Sequence, residues 1–180
     1  MIAFPKGNAA SGPSVAFDGV LLLGATGRLG SMLRRHWPEP QALRSQSRQP
    51  RPGFYNFDLP AAGEGPSDAA ISTARGARAV IALAGVTPAR AGACGAALED
   101  NVTLALAALK LAEAAAVPRF FVASSAAVYG AQDGPLREDM PCAPLSEYGR
   151  QKLAMEQAVR EAGGKTAVTA LRIGNVVGAD

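Results

Sequence analysis

The stretch Leu21-Leu22-Leu23-Gly24-Ala25-Thr26-Gly27-Arg28-Leu29-Gly30 decides the fold of this 180-residue chain. Its pattern predicts a buried strand that runs into a glycine-rich turn and then into a helix. Gly24 permits a tight turn, Gly27 leaves no Cβ between the backbone and a ligand, and Gly30 lets the helix pack closely on the strand. A pyrophosphate placed here would meet free backbone N–H groups and the positive end of the helix dipole. A plain glycine-rich turn can show the same spacing, but the apolar run before it and the helix-compatible residues after it favour phosphate binding.

The remaining sequence alternates between strand patterns and helix patterns. Predicted strands cover residues 15–23, 41–47, 54–59, 79–84, 119–124 and 168–173. Predicted helices cover residues 29–36, 67–75, 96–116 and 148–162, and the stretch 126–144 is interpreted as a loop. This order predicts one α/β domain over residues 15–180, built on a doubly wound parallel sheet. In such sheets ligands bind outside the carboxyl ends of the strands, so the functional residues should follow the first, fourth, fifth and sixth strands.

Composition excludes several classes of protein. The chain is 48% hydrophobic and 18% charged with a net charge of +3, and its basic residues form no dense stripe of the kind that binds nucleic acid. Two cysteines, Cys94 and Cys142, predict neither a disulfide framework nor a metal site, and the single histidine, His36, is interpreted as a surface residue. No apolar run reaches membrane-spanning length. Residues 1–14 lack the apolar core of a signal peptide and are predicted to be a mobile leader of a cytoplasmic protein.

Tyr148 and Lys152 open the predicted helix 148–162 and, four residues apart, share one helical face. A free phenol has a pKa of about 10, and a neighbouring ammonium favours the phenolate and lowers that value. Such a pair can exchange a proton with an alcohol while hydride moves to or from a cofactor. The spacing alone is also typical of a surface tyrosine and lysine on an amphipathic helix.

Two serines add to this pattern. Ser124 and Ser125 follow a predicted buried strand, so their hydroxyls should lie at the carboxyl edge of the sheet. A serine there can simply satisfy backbone groups where the strand ends. The glycine turn, the serines and the tyrosine–lysine pair follow one another in this order along the chain. Together they favour a functional site over a purely structural role for each motif.

With these motifs, the chain resembles the extended short-chain dehydrogenases/reductases of the NAD-dependent epimerase/dehydratase family, from about Val20 to Gly178. The resemblance implies a Rossmann fold and a dinucleotide cofactor. Tyr148 would be the catalytic acid/base, Ser125 would hydrogen-bond the reacting oxygen, and Lys152 would bind the nicotinamide ribose. The family pattern also matches the adenine-contacting pair Asp58-Leu59, the strand end Ala84-Gly85 along the cofactor, Asn101 as a support of the site, and the segment 171–175, whose Asn175 would reach the substrate.

The region after the second predicted strand departs from the pattern of NAD-preferring members, which place an acidic residue there to bind the ribose hydroxyls. Residues 41–53 contain no Asp or Glu but three arginines, and Arg28 lies inside the glycine turn. A guanidinium suits a 2′-phosphate, so we predict NADP as the cofactor, with NAD possible, and Arg48 and Arg28 as its contacts ahead of Arg44. Solvated surface arginines are the alternative. The predicted cofactor-binding residues are Gly24, Thr26, Gly27, Arg28, Leu29, Gly30, Arg48, Asp58, Leu59, Ala84, Gly85, Asn101, Tyr148 and Lys152.

Two further departures concern activity. Family dehydratases carry an acid pair directly after the catalytic Ser/Thr, where this chain has Ala126 and Ala127, so sugar dehydration is disfavoured. The chain stops just past the sixth strand, where relatives continue into a substrate lobe, and we expect that lobe to be largely absent.

These features predict an NAD(P)-dependent oxidoreductase or epimerase that acts on a hydroxyl or keto carbon of a small molecule, such as a sugar nucleotide. The alternative is a non-catalytic dinucleotide-binding module, such as a redox sensor or an assembly partner. By the resemblance, the helices starting near Ala96 and Tyr148 would form a homodimer interface, although a core-facing helix needs the same apolar stripe.

Overall fold

A computed structural model describes residues 17–61, 63–95 and 97–177. The strands are β1 Val20–Leu23, β2 Leu43–Ser47, β3 Tyr55–Asn56, β4 Ala79–Ala82, β5 Arg119–Ser125 and β6 Ala167–Ile173. The helices are α1 Arg28–His36, α2 Asp68–Ala74, α3 Pro88–Cys94, α4 Asp100–Ala114 and α5 Glu147–Ala162. Single turns of 3-10 helix occur at Pro40–Ala42 and Ala126–Tyr129.

The strands form one parallel sheet in the order β3-β2-β1-β4-β5-β6, which confirms the predicted doubly wound fold. The chain winds outward from β1 in one direction through β2 and β3, then returns and winds the other way through β4, β5 and β6. Right-handed crossovers therefore place α1 on one face of the sheet and α4 and α5 on the other. The reversal leaves a crevice at the carboxyl ends of β1 and β4, where such sheets bind their ligands.

The main core lies between the sheet and the layer formed by α2, α4 and α5, which pack side by side. Its central residues include Leu21, Val80 and Phe120 from the strands and Leu111 and Met155 from the helices. In β4, three of four residues are buried, as expected for a strand covered on both faces. By contrast, α1 buries only Gly30. The helix that carries the glycine turn is thus attached to the sheet mainly through its first turn.

Serine caps set where two of the helices begin. The Ser67 hydroxyl accepts a hydrogen bond from the Ala70 N–H at the start of α2, and the Ser146 hydroxyl accepts one from Gly149 N–H at the start of α5. Such caps satisfy N–H groups that have no partner within the helix. The cap at Ser146 begins α5 one residue before Tyr148, which therefore lies in the first helical turn.

The structure differs from the predicted elements mainly at their ends. Of the described part of the first predicted strand, residues 17–23, β1 covers Val20–Leu23, and β3 has only two residues of the predicted 54–59. The helix predicted from Ala96 begins at Asp100, and the predicted loop 126–144 opens with a 3-10 turn. The sequence prediction missed α3, a short Ala/Gly-rich helix without apolar periodicity that begins at a proline. The predicted leader, residues 1–14, lies outside the described residues.

Candidate functional site

Two adjoining cavities occupy the crevice at the carboxyl ends of the strands. We call the first the glycine cavity, because Gly24, Thr26 and Gly27 line it. We call the second the tyrosine cavity, because Ser125, Tyr148 and Lys152 line it. Leu83, Gly85 and Val86 border both cavities, so the two form one continuous cleft along the end of β4.

The glycine turn leaves no space for a side chain at Gly24 or Gly30. Gly24 has a φ of +73°, which side-chain-bearing residues rarely adopt, and its carbonyl accepts the Gly27 N–H at 3.0 Å. A Cβ on Gly30 would lie 2.4 Å from that same carbonyl oxygen. The amino end of α1 has neither a side-chain cap nor an acidic residue in its first turn. The turn therefore fits a phosphate-bearing ligand, which backbone N–H groups and the helix dipole would hold.

Gln46, which the sequence prediction overlooked, ties this turn to the sheet. Its side-chain oxygen accepts the Gly24 N–H at 3.2 Å, and its side-chain nitrogen donates to the Phe57 carbonyl at 2.7 Å. The residue is buried and lines the glycine cavity. The signal available in the sequence was a polar residue inside the second predicted strand.

The structure separates the arginines that were predicted to contact a 2′-phosphate. Arg48 lines the glycine cavity together with Asp58 and Leu59, as a contact to the adenosine end of a dinucleotide requires. Arg28 instead lines the tyrosine cavity. Arg44 points away from the cleft: its guanidinium donates to the Thr73 carbonyl at 2.7 Å and lies over the Phe17 ring.

Asn101 lies behind the cleft and is almost fully buried. Its side chain accepts the Val86 N–H at 3.1 Å and donates to the Val86 carbonyl at 3.0 Å and the Leu98 carbonyl at 2.9 Å. A Cβ on Gly85 would lie 2.7 Å from the Asn101 side-chain oxygen. Asn101 therefore holds the segment after β4 in place, and Gly85 lets that segment pass close to it.

The predicted residues Ser125, Tyr148 and Lys152 meet in the tyrosine cavity, although Ser125 precedes the other two by 23 and 27 residues in the chain. Ser125 ends β5, and its hydroxyl accepts the Ala127 N–H at 3.2 Å. Burial raises the pKa of the Tyr148 phenol, and a hydrogen bond with the Ser125 side chain offsets part of that effect. The pKa of Tyr148 is therefore not lowered as predicted from the neighbouring ammonium, because burial of the phenol outweighs the hydrogen bond with Ser125.

Lys152 is 6% exposed, and its ammonium donates to the Ala123 carbonyl at 2.9 Å. The nitrogen lies 5.8 Å from the centre of the Tyr148 ring. Burial lowers the pKa of Lys152 to about 8, against the opposing attraction of Glu156. Around neutral pH the side chain is therefore still mainly cationic, and it can hold hydroxyl oxygens of a ligand.

A buried ion pair, also overlooked, lies beneath the tyrosine cavity. The Glu156 carboxylate accepts hydrogen bonds from the Ser124 hydroxyl and from the Arg172 guanidinium, the shortest of the latter at 2.8 Å. Arg172 also donates to the Tyr129 hydroxyl at 2.8 Å. The signal available in the sequence was Glu156, one helical turn after Lys152 on the same face of α5.

Most of the predicted site residues line the cleft. The glycine cavity collects Gly24, Thr26, Gly27, Arg48, Asp58, Leu59, Ala84 and Gly85. The tyrosine cavity collects Arg28, Leu29, Gly85, Ser125, Tyr148 and Lys152, together with Ile173 and Gly174. Three predicted residues line neither cavity: Gly30 and Asn101 pack behind the cleft, and Asn175 lies exposed after β6.

The described residues lack two features that are typical of other protein classes. Within that part of the chain, no cluster of three or more His, Cys, Asp or Glu side chains could hold a metal ion. No helix there is both long and apolar enough to cross a membrane.

The comparisons with known proteins agree with one another on the family. The model of the NAD dependent epimerase/dehydratase family matches residues 20–180. UDP-glucose 4-epimerase of Azospirillum brasilense is 39% identical over 84 residues, which make up 45% of this chain and 24% of that protein. UDP-glucose 4-epimerase of Corynebacterium glutamicum is 41% identical over 83 residues, or 44% of this chain and 25% of that protein.

A solved structure, MoeE5 in complex with UDP-glucuronic acid and NAD, superposes with a TM-score of 0.65 at 30% identity. The match covers 86% of this chain and 54% of the MoeE5 chain. The matched residues therefore cover about half of the MoeE5 chain and about a quarter of each epimerase.

Proposed function

The chain belongs to the NAD dependent epimerase/dehydratase family, and we propose that its cleft binds NADP or NAD and supports hydride transfer at a hydroxyl or keto carbon of a sugar nucleotide. The observation that carries this proposal is the meeting of Ser125, Tyr148 and Lys152 in one cavity that continues into the glycine cavity. The relatives named UDP-glucose 4-epimerase support the class of substrate. Interconversion of epimers and simple oxidation or reduction both use this chemistry.

Each of the three side chains has a distinct proposed role. Tyr148 exchanges the proton of the reacting hydroxyl, and Ser125 donates a hydrogen bond to the same oxygen. Lys152 holds the ribose hydroxyls next to the nicotinamide. The bound dinucleotide supplies the hydride acceptor or donor, while the chain supplies position, hydrogen bonds and exclusion of water.

The raised pKa of Tyr148 bears on the direction of proton transfer. A phenol that keeps its proton at neutral pH is ready to act as an acid toward a developing alkoxide. To act as a base toward an alcohol, it has to be deprotonated, which additional positive charge near the ring would favour. The cationic side chain of Lys152, 5.8 Å from the ring centre, provides such charge when it is protonated.

Dehydration is disfavoured by the composition of the tyrosine cavity. Elimination of water needs an acid or base beside the carbon that loses its substituent, and the residues found to line this cavity include no Asp or Glu. Ala126 and Ala127, which stand where dehydratases of the family carry an acid pair, cannot move protons.

The preference for NADP over NAD is the finer part of the proposal, and it rests on Arg48. The side chain lines the glycine cavity, and the end of β2 contributes Gln46 and Ser47 instead of a carboxylate. A ribose 2′-phosphate would gain a charged partner there and would meet no repulsion from an acid on β2. MoeE5, by contrast, was solved with NAD.

Calorimetric titration with NADPH and with NADH tests both parts. We expect both to bind, NADPH more tightly, and Arg48→Ala to lower the affinity for NADPH by roughly 10- to 100-fold with little effect on NADH. Arg51→Ala, an exposed arginine that does not line either cavity, is the matched control. Tighter NADH binding would overturn the preference for NADP but not the site, whereas no binding of either nucleotide by the folded chain would overturn the proposed function.

Assembly and location complete the proposal. We propose a cytoplasmic homodimer that forms through α4 and α5. The apolar residues of α4 are largely buried against the sheet and neighbouring helices, so a dimer has to use the residues that remain exposed, such as Thr103, Lys110 and Arg150. Light scattering across micromolar concentrations tests this, and a monomer throughout would contradict it.

A further inference from the structure

Glu156 stands out because it is a buried carboxylate with no role in the chemistry proposed above. It is 2% exposed, and a charge in such a place is retained only with a partner. Replacing a buried ion pair by apolar residues is often neutral or stabilising, so stability alone does not explain the presence of this one.

The partners of Glu156 come from the walls of the tyrosine cavity. Ser124, whose hydroxyl donates to the carboxylate, lies on β5 directly before Ser125. Arg172 on β6 donates through Nε to both oxygens, at 3.1 and 3.2 Å, and through a terminal nitrogen at 2.8 Å. The next two residues of the chain, Ile173 and Gly174, line the cavity. The Glu156 carboxylate on α5 thus holds β5 and β6 in place next to the tyrosine cavity.

Lys152 is the third residue that interacts with Glu156. It precedes Glu156 by one helical turn, and the attraction of this carboxylate favours its protonated form. Among the described residues, other titratable or charged groups of this region are Tyr148 on α5, Arg172, which binds Glu156 from β6, and Arg28, which lines the same cavity from the start of α1. Glu156 is the one carboxylate among these groups, so its removal leaves only cations and a phenol near Lys152.

We propose that Glu156 is a positioning residue, whose buried carboxylate holds the β5, β6 and α5 walls of the tyrosine cavity in register and supplies the counter-charge for Arg172 and Lys152. This inference rests on the proposed function for its meaning in catalysis. Its physical content, the dependence of Lys152 on Glu156, can be measured without any ligand.

The first test is the titration of Lys152 in the unliganded protein, followed through the NMR shifts of its labelled side chain. The chain has only four lysines, Lys6, Lys110, Lys152 and Lys165, so the signal can be assigned by substitution. In Glu156→Gln we expect the midpoint of Lys152 to move below the wild-type value of about 8. Glu161→Gln removes the same charge from an exposed position of α5 and should leave the midpoint unchanged.

The second test is the affinity for NADH near neutral pH. We expect Glu156→Gln to weaken binding by about tenfold, because a smaller fraction of Lys152 is cationic and the cavity walls are less well held. The conservative variant Glu156→Asp keeps the charge and should restore the Lys152 midpoint more fully than the affinity. A wild-type chain that does not bind NADH would contradict the proposed function, while the NMR titration would still decide the role of Glu156.

A variant that leaves Arg172 without its partner can fail to fold. In that case the same measurements on Glu156→Gln combined with Arg172→Met decide, because this pair removes both charges together. A folded variant whose Lys152 midpoint and NADH affinity match those of the wild type would overturn the proposal. Failure of both variants to fold would assign Glu156 to stability alone and would overturn it as well.

Discussion

The two ends of the cleft are built by different means. The glycine cavity is built around a backbone turn that comes from consecutive positions of the β1–α1 junction, with side chains such as Gln46, Arg48 and Asp58 completing its wall. The tyrosine cavity is formed by side chains from β5, α5 and β6, with Lys152 and Glu156 buried at its base. The turn at the first end should therefore depend on available space, whereas binding at the second end should depend on the charge of Lys152 and change with pH.

The largest effect is expected from Tyr148→Phe at the tyrosine end. Loss of the proposed acid/base should slow hydride transfer by about 10²- to 10⁴-fold, while dinucleotide affinity changes little because the ring remains. The measurement is the single-turnover reduction of bound dinucleotide after UDP-glucose is added, followed by the absorbance of reduced nicotinamide. Tyr55→Phe, on the exposed strand β3, is the control.

The outcome also separates the two functions considered from the sequence. If the wild-type chain binds the dinucleotide but no sugar nucleotide is oxidised, and Tyr148→Phe changes nothing, the non-catalytic binding module becomes the better interpretation. A normal rate in an otherwise active Tyr148→Phe variant would remove Tyr148 from the chemistry.

At the glycine end, Gly30→Ala should lower the free energy of unfolding by about 2–3 kcal/mol and should weaken dinucleotide binding at every pH. The added methyl group would lie 2.4 Å from the Gly24 carbonyl oxygen and 2.7 Å from the Ala25 Cα, so the turn has to open. Urea denaturation and calorimetry measure the two effects. Gly65→Ala, where nothing lies within 4 Å of the new methyl group, should change neither.

The same contrast explains what could be predicted from the sequence. The glycine turn was predictable because its geometry is local: residue spacing determines the turn, the helix start and the close approach of Gly30. The alternation of strands and helices likewise determined the sheet order, since right-handed crossovers leave few topologies. Strand ends were less predictable. β3 has only two residues because its pairing with β2, and not the strand propensity of its residues, determines where it ends.

Contacts between distant segments were the part that sequence reasoning missed. The residues next to Glu156 in the sequence do not indicate that it will contact Arg172 and Ser124. The hydrogen bonds of Gln46 with Gly24 and Phe57 likewise form only because three strands lie side by side. The direction of the Tyr148 pKa shift was predicted wrongly for the same reason. That direction depends on how deeply the folded domain buries the ring, which the spacing of residues on one helix does not reveal.

A smaller effect is expected from pH, and only at the tyrosine end. As the pH rises through about 8, Lys152 loses its proton, and NADH affinity should fall by at most about tenfold per pH unit. Fold stability should change in the opposite direction. Between pH 8 and the ordinary lysine pKa of 10.5 the unfolded chain holds a proton on Lys152 that the folded chain does not, so its contribution to the free energy of unfolding rises by at most about 1.4 kcal/mol per pH unit.

Calorimetry and urea denaturation between about pH 7 and about pH 9 follow both trends. Lys152→Met should flatten the pH dependence of each, whereas Arg48→Ala should lower NADPH affinity without changing that dependence. An NADH affinity that stays constant across this range in the wild type would contradict the role proposed for Lys152.

The smallest effect is expected at the edge of the sheet opposite the cleft, where α4 ends. Ala116 has a φ of +55°, the Ala116 N–H donates to the Glu113 carbonyl, and the Val117 N–H donates to the Ala112 carbonyl. This pattern is the Schellman motif, whose left-handed position favours glycine. Ala116→Gly should therefore raise the free energy of unfolding by about 0.5–1 kcal/mol.

Thermal denaturation should show this as an increase in Tm of roughly 1–4 °C, and Ala114→Gly, in the last helical turn, should have the opposite sign. Because α4 starts beside the glycine cavity at Asp100 and runs away from it, dinucleotide affinity should not change in Ala116→Gly. An affinity that rose together with stability would mean that the cleft responds to the overall rigidity of the domain. The difference between its two ends would then be one of chemistry alone and not of how each is held in place.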